Sequence, residues 1–312
     1  MERVLVTGGA GYIGSTLVPM LLDGGYDVTV FDSLMFGGHA LLPCFPRKGF
    51  HFIKGDVRDT AALQKVMDPA NVVIHLAGIV GYPACKKDPT MAKEVNEIAS
   101  QQVADLLRPD QLLIFSSTGS NYGAVPDGVC TEETPLRPLT IYGHTKTNAE
   151  KYFLAKNPTN SIVFRFATAF GVSPRMRLDL LINDFVHKVL KDNYLLIYEA
   201  DFKRTFIEVR DIARSFLFAL EHRQKMIGHA FNVGSNSLNH SKRDVALFLK
   251  QYRDYFLTFI DDGKDEDQRN YEVSYDKISK LGYNTTVSLQ EGVDVLVNSM
   301  KVIEAPKFYS NV

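Results

Sequence analysis

Short runs of β-branched and other apolar residues alternate with longer segments of helical periodicity through the first half of the chain. Runs that are apolar on both faces and separated by amphipathic helices are typical of a parallel sheet covered on both sides. The pattern therefore predicts an α/β fold with a doubly wound parallel sheet. The expected strands are 3–7, 27–31, 50–54, 71–76, 111–116 and 161–166, and the expected helices lie near 12–24, 60–67, 90–107 and 142–156.

The regular alternation loosens after Gly171. With 312 residues, 45% of them hydrophobic, the chain can bury more than one core. We predict a sheet domain formed by 1–171 together with about 205–233, and a smaller α/β lobe formed by 172–204 and 234–312. The elements expected in this half are helices 178–192, 209–223, 241–252 and 289–302, and strands 194–198 and 229–233.

The charge balance gives no bulk attraction for nucleic acid or for an anionic membrane, because 35 Lys and Arg face 36 Asp and Glu. An anionic ligand must therefore be held by local arginines. Three scattered cysteines, Cys44, Cys85 and Cys130, lack metal-ligand spacing and predict reduced thiols and no metal site. No apolar run approaches the roughly 18 residues of a membrane span, and the N-terminus lacks a signal-peptide layout. These features predict a cytoplasmic protein.

The first strand leads through TGGAGYIG into a helix, with Gly8, Gly11 and Gly14 at intervals of three. Glycines at this spacing allow a tight turn, close approach of a pyrophosphate and close packing of helix on strand, with the phosphates at the positive helix end. We predict a dinucleotide-binding loop that includes Tyr12 and Ile13. The alternative is a purely structural glycine turn.

Asp32 ends the second strand 18 residues after Gly14, where its carboxylate can accept hydrogen bonds from the adenosine ribose. The same carboxylate would repel a 2′-phosphate, and Ser33 and Leu34 offer no cation to bind one, so NAD is favoured over NADP. The ends of the third and fourth strands complete the predicted cofactor site with Asp56, Val57, Leu76, Ala77 and Gly78.

Tyr142 and Lys146 are four residues apart, which on a helix places both side chains on one face. A nearby ammonium favours the phenolate form of a tyrosine, so such a pair can transfer protons. The pair alone is common in helices that do no chemistry. A cluster of hydroxyls, FSSTGSNYG, lies upstream, and Thr118 precedes Tyr142 by 24 residues. The residues alone leave open which hydroxyl takes part.

TGGAGYIG, HLAG, FSST…YG, YGHTK and RTFIEVRD together resemble the extended short-chain dehydrogenase/reductase family, the nucleotide-sugar epimerases and dehydratases that include UDP-glucose 4-epimerase. The resemblance covers nearly the whole chain. It implies a Rossmann domain that binds NAD and a lobe that binds a UDP- or GDP-linked sugar. It also implies that Thr118 hydrogen-bonds the reacting sugar oxygen, Tyr142 takes its proton and Lys146 binds the nicotinamide ribose. Ser116 and Ser117 are then packing residues.

The resemblance implies that Arg204 and Arg269 bind the diphosphate and that Asn183 contacts the substrate at the start of a helix. Arg175 and Arg177 are further candidates, with surface charge as the alternative. This chain has Thr168 where many relatives carry asparagine, and Glu208 where a histidine is common. Ser120 and Thr168 complete the predicted substrate site. In the overhanging segment 81–89, packing is favoured over sugar contact for Cys85 and Lys86. Asp211 is expected to cap a helix.

Every candidate reaction in the family begins with oxidation at the sugar C4. Dehydratases of this family carry Asp-Glu directly after the threonine, whereas this chain has Gly119-Ser120, which disfavours dehydration. Two kinds of enzyme remain. A 4-epimerase is favoured, and the alternative is a 4-dehydrogenase, such as one that acts on GDP-heptose. A non-catalytic NAD-binding sensor is disfavoured because such proteins lack the Tyr-Lys pair. The resemblance also implies a homodimer formed through helices 90–107 and 142–156.

Overall fold

The computed structural model describes residues 1–123, 125, 128–260, 270–303 and 309–311. In these ranges the strands are β1 Arg3–Thr7, β2 Asp27–Asp32, β3 Phe50–Lys54, β4 Val72–His75, β5 Leu112–Thr118, β6 Val129–Cys130, β7 Ser161–Phe166, β8 Thr168–Phe170, β9 Tyr194–Tyr198, β10 Lys203–Glu208, β11 Ala230–Val233, β12 Asn239–Ser241, β13 Phe256–Ile260 and β14 Glu272–Val273.

The helices surround these strands, and several of them begin at a side-chain cap. Ser241 and Ser288, for example, form capping boxes with Asp244 and Glu291. The helices are α1 Gly14–Asp23, α2 Thr60–Met67, α3 Tyr82–Lys87, α4 Pro89–Lys93, α5 Ala99–Leu106, α6 Ile141–Lys156, α7 Leu181–Lys191, α8 Val209–Met226, α9 Lys242–Leu249, α10 Asp276–Ser279 and α11 Leu289–Ser299, with 3-10 turns at His39–Cys44, Gly119–Tyr122 and Asn236–Leu238.

The central sheet has seven parallel strands in the order β11-β7-β5-β4-β1-β2-β3. One face packs on α1 and α8, and the other on α2, α5 and α6. This confirms the predicted doubly wound α/β fold. The chain runs outward in opposite directions from β1 and β4, and the crevice at the carboxyl ends of such neighbouring strands is where ligands bind in sheets of this kind.

A separate core gathers side chains of α7, β9, α9 and α11, which lie in the predicted second lobe. The return of the chain to the central sheet is later than expected. β10 pairs with β8 and β12 in a small sheet, and only α8 and β11 rejoin the central layers. The domain boundaries themselves stay a prediction.

The predicted helix 90–107 is divided. It consists of α4, a π-helical turn at Glu94–Ile98 and α5, preceded by the short helix α3 that the sequence did not predict. Among the described helices, none combines the length and apolarity needed to cross a membrane. The three cysteines are free and buried, and the described residues contain no cluster of metal-ligating side chains.

Candidate active site

A cavity of about 570 Å³ lies at the carboxyl ends of the central strands. Nearly all of the predicted site residues in the described part of the chain line it. The exception is Asn183, while Arg269 lies outside the described residues. The predicted residues in the lining are Gly8, Gly11, Tyr12, Ile13, Gly14, Asp32, Asp56, Val57, Leu76, Ala77, Gly78, Thr118, Ser120, Tyr142, Lys146, Thr168, Arg175, Arg177 and Arg204.

The glycine loop leaves no room for side chains. Gly8 has a φ of 71°, and a Cβ atom there would lie 2.6 Å from the backbone nitrogen of Ala77. A Cβ on Gly14 would lie 2.5 Å from the Cα of Gly9. Since α1 begins at Gly14, the loop brings bare backbone and the positive end of a helix to the cavity, as a pyrophosphate requires.

Asp32 is held at the adjacent strand end by two backbone donors. The nitrogen of Ala10 lies 2.9 Å from its Oδ2, and the nitrogen of Leu34 lies 2.8 Å from its Oδ1. Burial raises the pKa of this carboxyl, and the two backbone hydrogen bonds oppose that shift. The bonds fix the carboxylate in the orientation in which it lines the cavity, so it can accept hydrogen bonds from a ribose.

Asp56 lies two residues beyond β3 rather than closing that strand as predicted. Its carboxylate binds the guanidinium of Arg58 at 2.7 Å, and this hydrogen bond lowers the pKa of Asp56. The neighbouring Val57 is buried and adds an apolar patch to the same wall.

Helix α6 carries Tyr142 and Lys146 into the cavity. Its cap is Thr140, whose Oγ1 accepts the Gly143 nitrogen at 3.1 Å, so Tyr142 lies in the first turn and Lys146 in the next. Lys146 is 4% exposed, and its Nζ lies 4.1 Å from the centre of the Phe115 ring. Burial lowers the pKa of Lys146 to about 7, opposed by the nearby Cys85 and Glu150. The ammonium is therefore poorly compensated by the protein itself.

This burial predicts a pH-dependent stability. The unfolded chain has a lysine pKa of about 10.4, so between about pH 7 and that value it binds more protons than the folded chain, and the free energy of unfolding rises with pH. After bound nucleotide is removed, Lys146→Met should be more stable than the wild type by on the order of 2 kcal/mol at pH 6. Urea denaturation should show this difference shrinking towards pH 10. A difference that stays constant over this range would contradict the account.

Thr118 ends β5 and lines the same cavity. Its Oγ1 accepts the Ser120 nitrogen at 3.1 Å and donates to the Ser120 Oγ at 3.2 Å. Ser117 instead donates to the carboxylate of Glu150 at 2.6 Å. Thr118 and Ser120 thus form a hydroxyl pair at the cavity, whereas Ser117 lines the same cavity but has its hydroxyl bound to Glu150. Ser116 also lines the cavity.

Glu150 and Arg165 form a buried ion pair behind this cluster that sequence reasoning missed. The Arg165 guanidinium donates to Glu150 Oε1 at 2.6 and 2.8 Å, and Ser117 and Asn121 donate to Oε2. The pair connects β5, β7 and α6 beneath Thr118 and Lys146. Two signals were available, since Glu150 continues the spacing of Tyr142 and Lys146, and Arg165 interrupts an apolar strand.

Asn96, in the π-helical turn, is a second residue that the sequence did not single out. Its side chain is fully buried. Its Oδ1 accepts the Ile79 nitrogen at 2.7 Å, and its Nδ2 donates to the Ile79 oxygen at 2.9 Å. Asn96 thereby fixes the segment after β4, which forms one wall of the cavity. π-helical turns often occur where a helix serves a functional site.

Asn183, which was predicted to contact the substrate, lies behind the cavity wall. It is fully buried and absent from the cavity lining, and its amide bonds the Gly171 nitrogen at 3.0 Å and the Arg177 oxygen at 2.8 Å. The side chain thus braces the backbone around Arg177, and its contact with the substrate stays a prediction. The prediction that Asp211 caps a helix was wrong. Glu208 caps α8, whereas the Asp211 carboxylate accepts hydrogen bonds from the backbone nitrogens of residues 286 and 287.

The overhanging segment 81–89 contributes Gly81, Tyr82 and Pro83 to the cavity. Cys85 is fully buried, and its thiol donates to the Ile79 oxygen at 3.3 Å. Lys86 lines a neighbouring cavity, which shares Tyr82 with the first. These positions agree with the packing role predicted for Cys85.

Comparisons with known proteins agree with this geometry. The model of the NAD dependent epimerase/dehydratase family matches residues 4–234. The chain belongs to this family. It is 27% identical over 309 residues to a putative UDP-glucose 4-epimerase of Methanocaldococcus jannaschii, covering 96% of this chain and 98% of that one. It is 28% identical over 313 residues to a dTDP-glucose 4,6-dehydratase of an Actinoplanes species, covering 93% and 95%.

The fold is also similar to the crystal structure of UDP-glucuronic acid 4-epimerase from Bacillus cereus in complex with UDP-glucuronic acid and NAD. The TM-score is 0.86 at 26% identity, with 96% of this chain and 99% of that chain covered. The protein described here, as a member of the epimerase/dehydratase family, is an enzyme whose cofactor is NAD. The residues of the present chain fit this cofactor. The glycine loop leaves space for a pyrophosphate, and Asp32 is fixed at the strand end where a ribose binds.

Proposed function

We propose that this enzyme is a 4-epimerase acting on a UDP- or GDP-linked sugar. The observation that carries the proposal is that Thr118, Tyr142 and Lys146 line the same cavity as the glycine loop and Asp32. A proton-transferring group and a cofactor site that share one cavity support redox chemistry on a bound alcohol. Because a sensor without catalysis needs no such trio beside its cofactor, the shared cavity disfavours that alternative.

The roles follow from the chemistry of each side chain. The Thr118 hydroxyl binds the C4 oxygen of the sugar, and the Tyr142 phenolate takes its proton. Lys146 binds a ribose of the cofactor and, when charged, favours the phenolate. NAD, when bound, supplies the acceptor for the C4 hydrogen. Rotation of the 4-keto sugar in the cavity, followed by return of the hydrogen to its other face and of the proton from Tyr142, yields the C4 epimer.

Dehydration is disfavoured by the composition of the cavity wall. Among the described residues that line it, the carboxylates are Asp32, Asp56 and Asp179, and the lining contains no histidine, cysteine or glutamate. Backbone nitrogens hold Asp32, Arg58 binds Asp56, and Arg177 binds Asp179 at 2.5 Å. An acid and base pair for elimination across C5 and C6 is therefore lacking in this part of the wall.

Cations in the lining support a diphosphate substrate. We propose that Arg177 and Arg204, both largely buried, bind the phosphates together with Arg269. Ser120 and Thr168 offer hydroxyls to the sugar. A second cavity, lined by Lys86, Lys87, Lys188 and Lys242 beside apolar side chains, adjoins the first through Tyr82, Pro83, Asp179 and Leu181 and can take the rest of the nucleotide. The homodimer and the cytoplasmic location remain predictions.

The second candidate is a 4-dehydrogenase that releases the ketosugar, for example from GDP-heptose. The full-length protein is incubated with UDP-glucose, UDP-glucuronic acid, dTDP-glucose and GDP-linked sugars, with and without 2-oxoglutarate as hydride acceptor. NMR should detect the C4 epimer of one substrate without 2-oxoglutarate. A ketosugar that forms only with 2-oxoglutarate would contradict the epimerase and support the dehydrogenase.

A further inference from the structure

Arg175 has an unusual position within the cavity wall. It is 6% exposed, and its Nε is buried without a hydrogen-bond partner. The only other cavity-lining residue described with an unpartnered buried side-chain atom is Asn311. Among the described residues, the terminal nitrogens of Arg175 donate to two carbonyl oxygens, that of Met176 at 3.2 Å and that of Ser310 at 3.4 Å. In the described part of the chain no carboxylate forms a salt bridge with this guanidinium.

The neighbours of Arg175 belong to the cofactor side of the cavity. Its backbone nitrogen donates to the Ser15 Oγ at 3.1 Å, in the first turn of α1 after the glycine loop. Its guanidinium carbon lies 4.7 Å from the centre of the Phe36 ring, four residues after Asp32. The side chain is therefore between the helix end that faces a pyrophosphate and the segment that follows the predicted ribose carboxylate.

Further hydrogen bonds hold this segment against the glycine loop. Ser173 donates to the Tyr12 oxygen at 2.6 Å, and the Tyr12 hydroxyl donates to the Gly171 oxygen at 2.7 Å. Arg177, two residues later, is paired with Asp179. The two arginines therefore differ, since Arg177 has a carboxylate partner and Arg175 is anchored to the loop that receives the cofactor.

We propose that Arg175 binds the pyrophosphate of NAD, and thus belongs to the cofactor site rather than to the substrate site predicted from the sequence. A buried guanidinium with a free donor needs an anion, and a pyrophosphate at the start of α1 places negative charge within its reach. Burial and then the nearby Arg177 lower the pKa of Arg175, and the Asp179 carboxylate, which is paired with Arg177, only partly opposes this shift.

The test compares Arg175→Met with Arg177→Met in the full-length holoenzyme. The rate of NAD release is measured after dilution, and the affinities for UDP and GDP are measured by calorimetry. Arg175→Met should release NAD about tenfold or more faster, as expected for loss of a hydrogen bond to a charged group, with UDP and GDP affinities within about twofold of the wild type. Arg177→Met should show the reverse pattern.

The proposal is overturned if Arg175→Met weakens UDP or GDP binding and leaves NAD release unchanged, if it changes neither, or if both variants behave alike. Circular dichroism and thermal melting check folding. If Arg175→Met does not fold, Arg175→Lys and Phe36→Leu replace it. The first keeps the charge but loses the planar fork, the second removes the ring beneath the guanidinium, and each should speed NAD release without weakening UDP or GDP binding. An unchanged NAD release in both would overturn the proposal.

Discussion

Replacing Tyr142 by phenylalanine is expected to lower kcat about a thousandfold, the usual size of a general acid-base contribution. The change removes only the hydroxyl that exchanges a proton with the sugar. Tyr142 lies in the first turn of α6 and lines the cavity with Thr118 and Lys146. Because the ring is kept, folding and NAD content should match those of the wild type. Initial rates with the substrate found among the nucleotide sugars measure the effect.

Tyr152→Phe is the matched control. Tyr152 lies on the same helix, and its hydroxyl donates to Asp105 at 2.8 Å, away from the cavity lining. Its loss should leave kcat within about twofold of the wild type, as for a surface hydrogen bond. Full activity of Tyr142→Phe, or equal losses in both variants, would refute the proposed role of Tyr142.

Replacing Arg165 by methionine is expected to reduce the free energy of unfolding by about 3–5 kcal/mol. The change leaves the Glu150 carboxylate, which is 1% exposed, without its cation. Ser117 and Asn121 still donate to one of its oxygens, but two hydrogen bonds cannot replace a paired charge in a buried site. Urea denaturation at pH 7 measures the loss.

Two further variants separate the ion pair from other effects of the substitution. Combining Arg165→Met with Glu150→Leu should restore part of the stability, because an apolar pair often replaces a buried ion pair at little cost. Arg108→Met removes an exposed pair with Asp110 and should change the stability far less than Arg165→Met does, because solvent screens an exposed ion pair. An Arg165→Met variant as stable as Arg108→Met would show that the buried pair does not support this part of the fold.

Local patterns predicted the elements that carry the chemistry. The glycine loop, Asp32 and the Tyr142 and Lys146 pair each depend on spacing within one strand-to-helix unit or one helix, and spacing is visible in a sequence. Apolar runs such as Val72–His75 also predict buried parallel strands well. For these reasons the central sheet and the residues around its carboxyl edge could be predicted.

Features that depend on distant contacts could not be predicted in the same way. Glu150 and Arg165 meet only after β7 is paired with β5, and the amide of Asn183 meets Gly171 only when α7 packs beside that segment. The strands β8 and β12 have three residues each, too few for a periodic pattern. Arg175 was grouped with Arg177 because they are neighbours in sequence, whereas its contacts are to α1 and Phe36.

The fate of the hydrogen at C4 tests the proposed reaction most directly. The substrate identified among the nucleotide sugars is prepared with deuterium at C4 and incubated with the holoenzyme until the products reach equilibrium. The proposed 4-epimerase should yield the C4 epimer with deuterium retained at C4 and none lost to water. Deuterium at C6 of a 6-deoxy product, or its transfer to added 2-oxoglutarate with release of a ketosugar, would contradict the proposal.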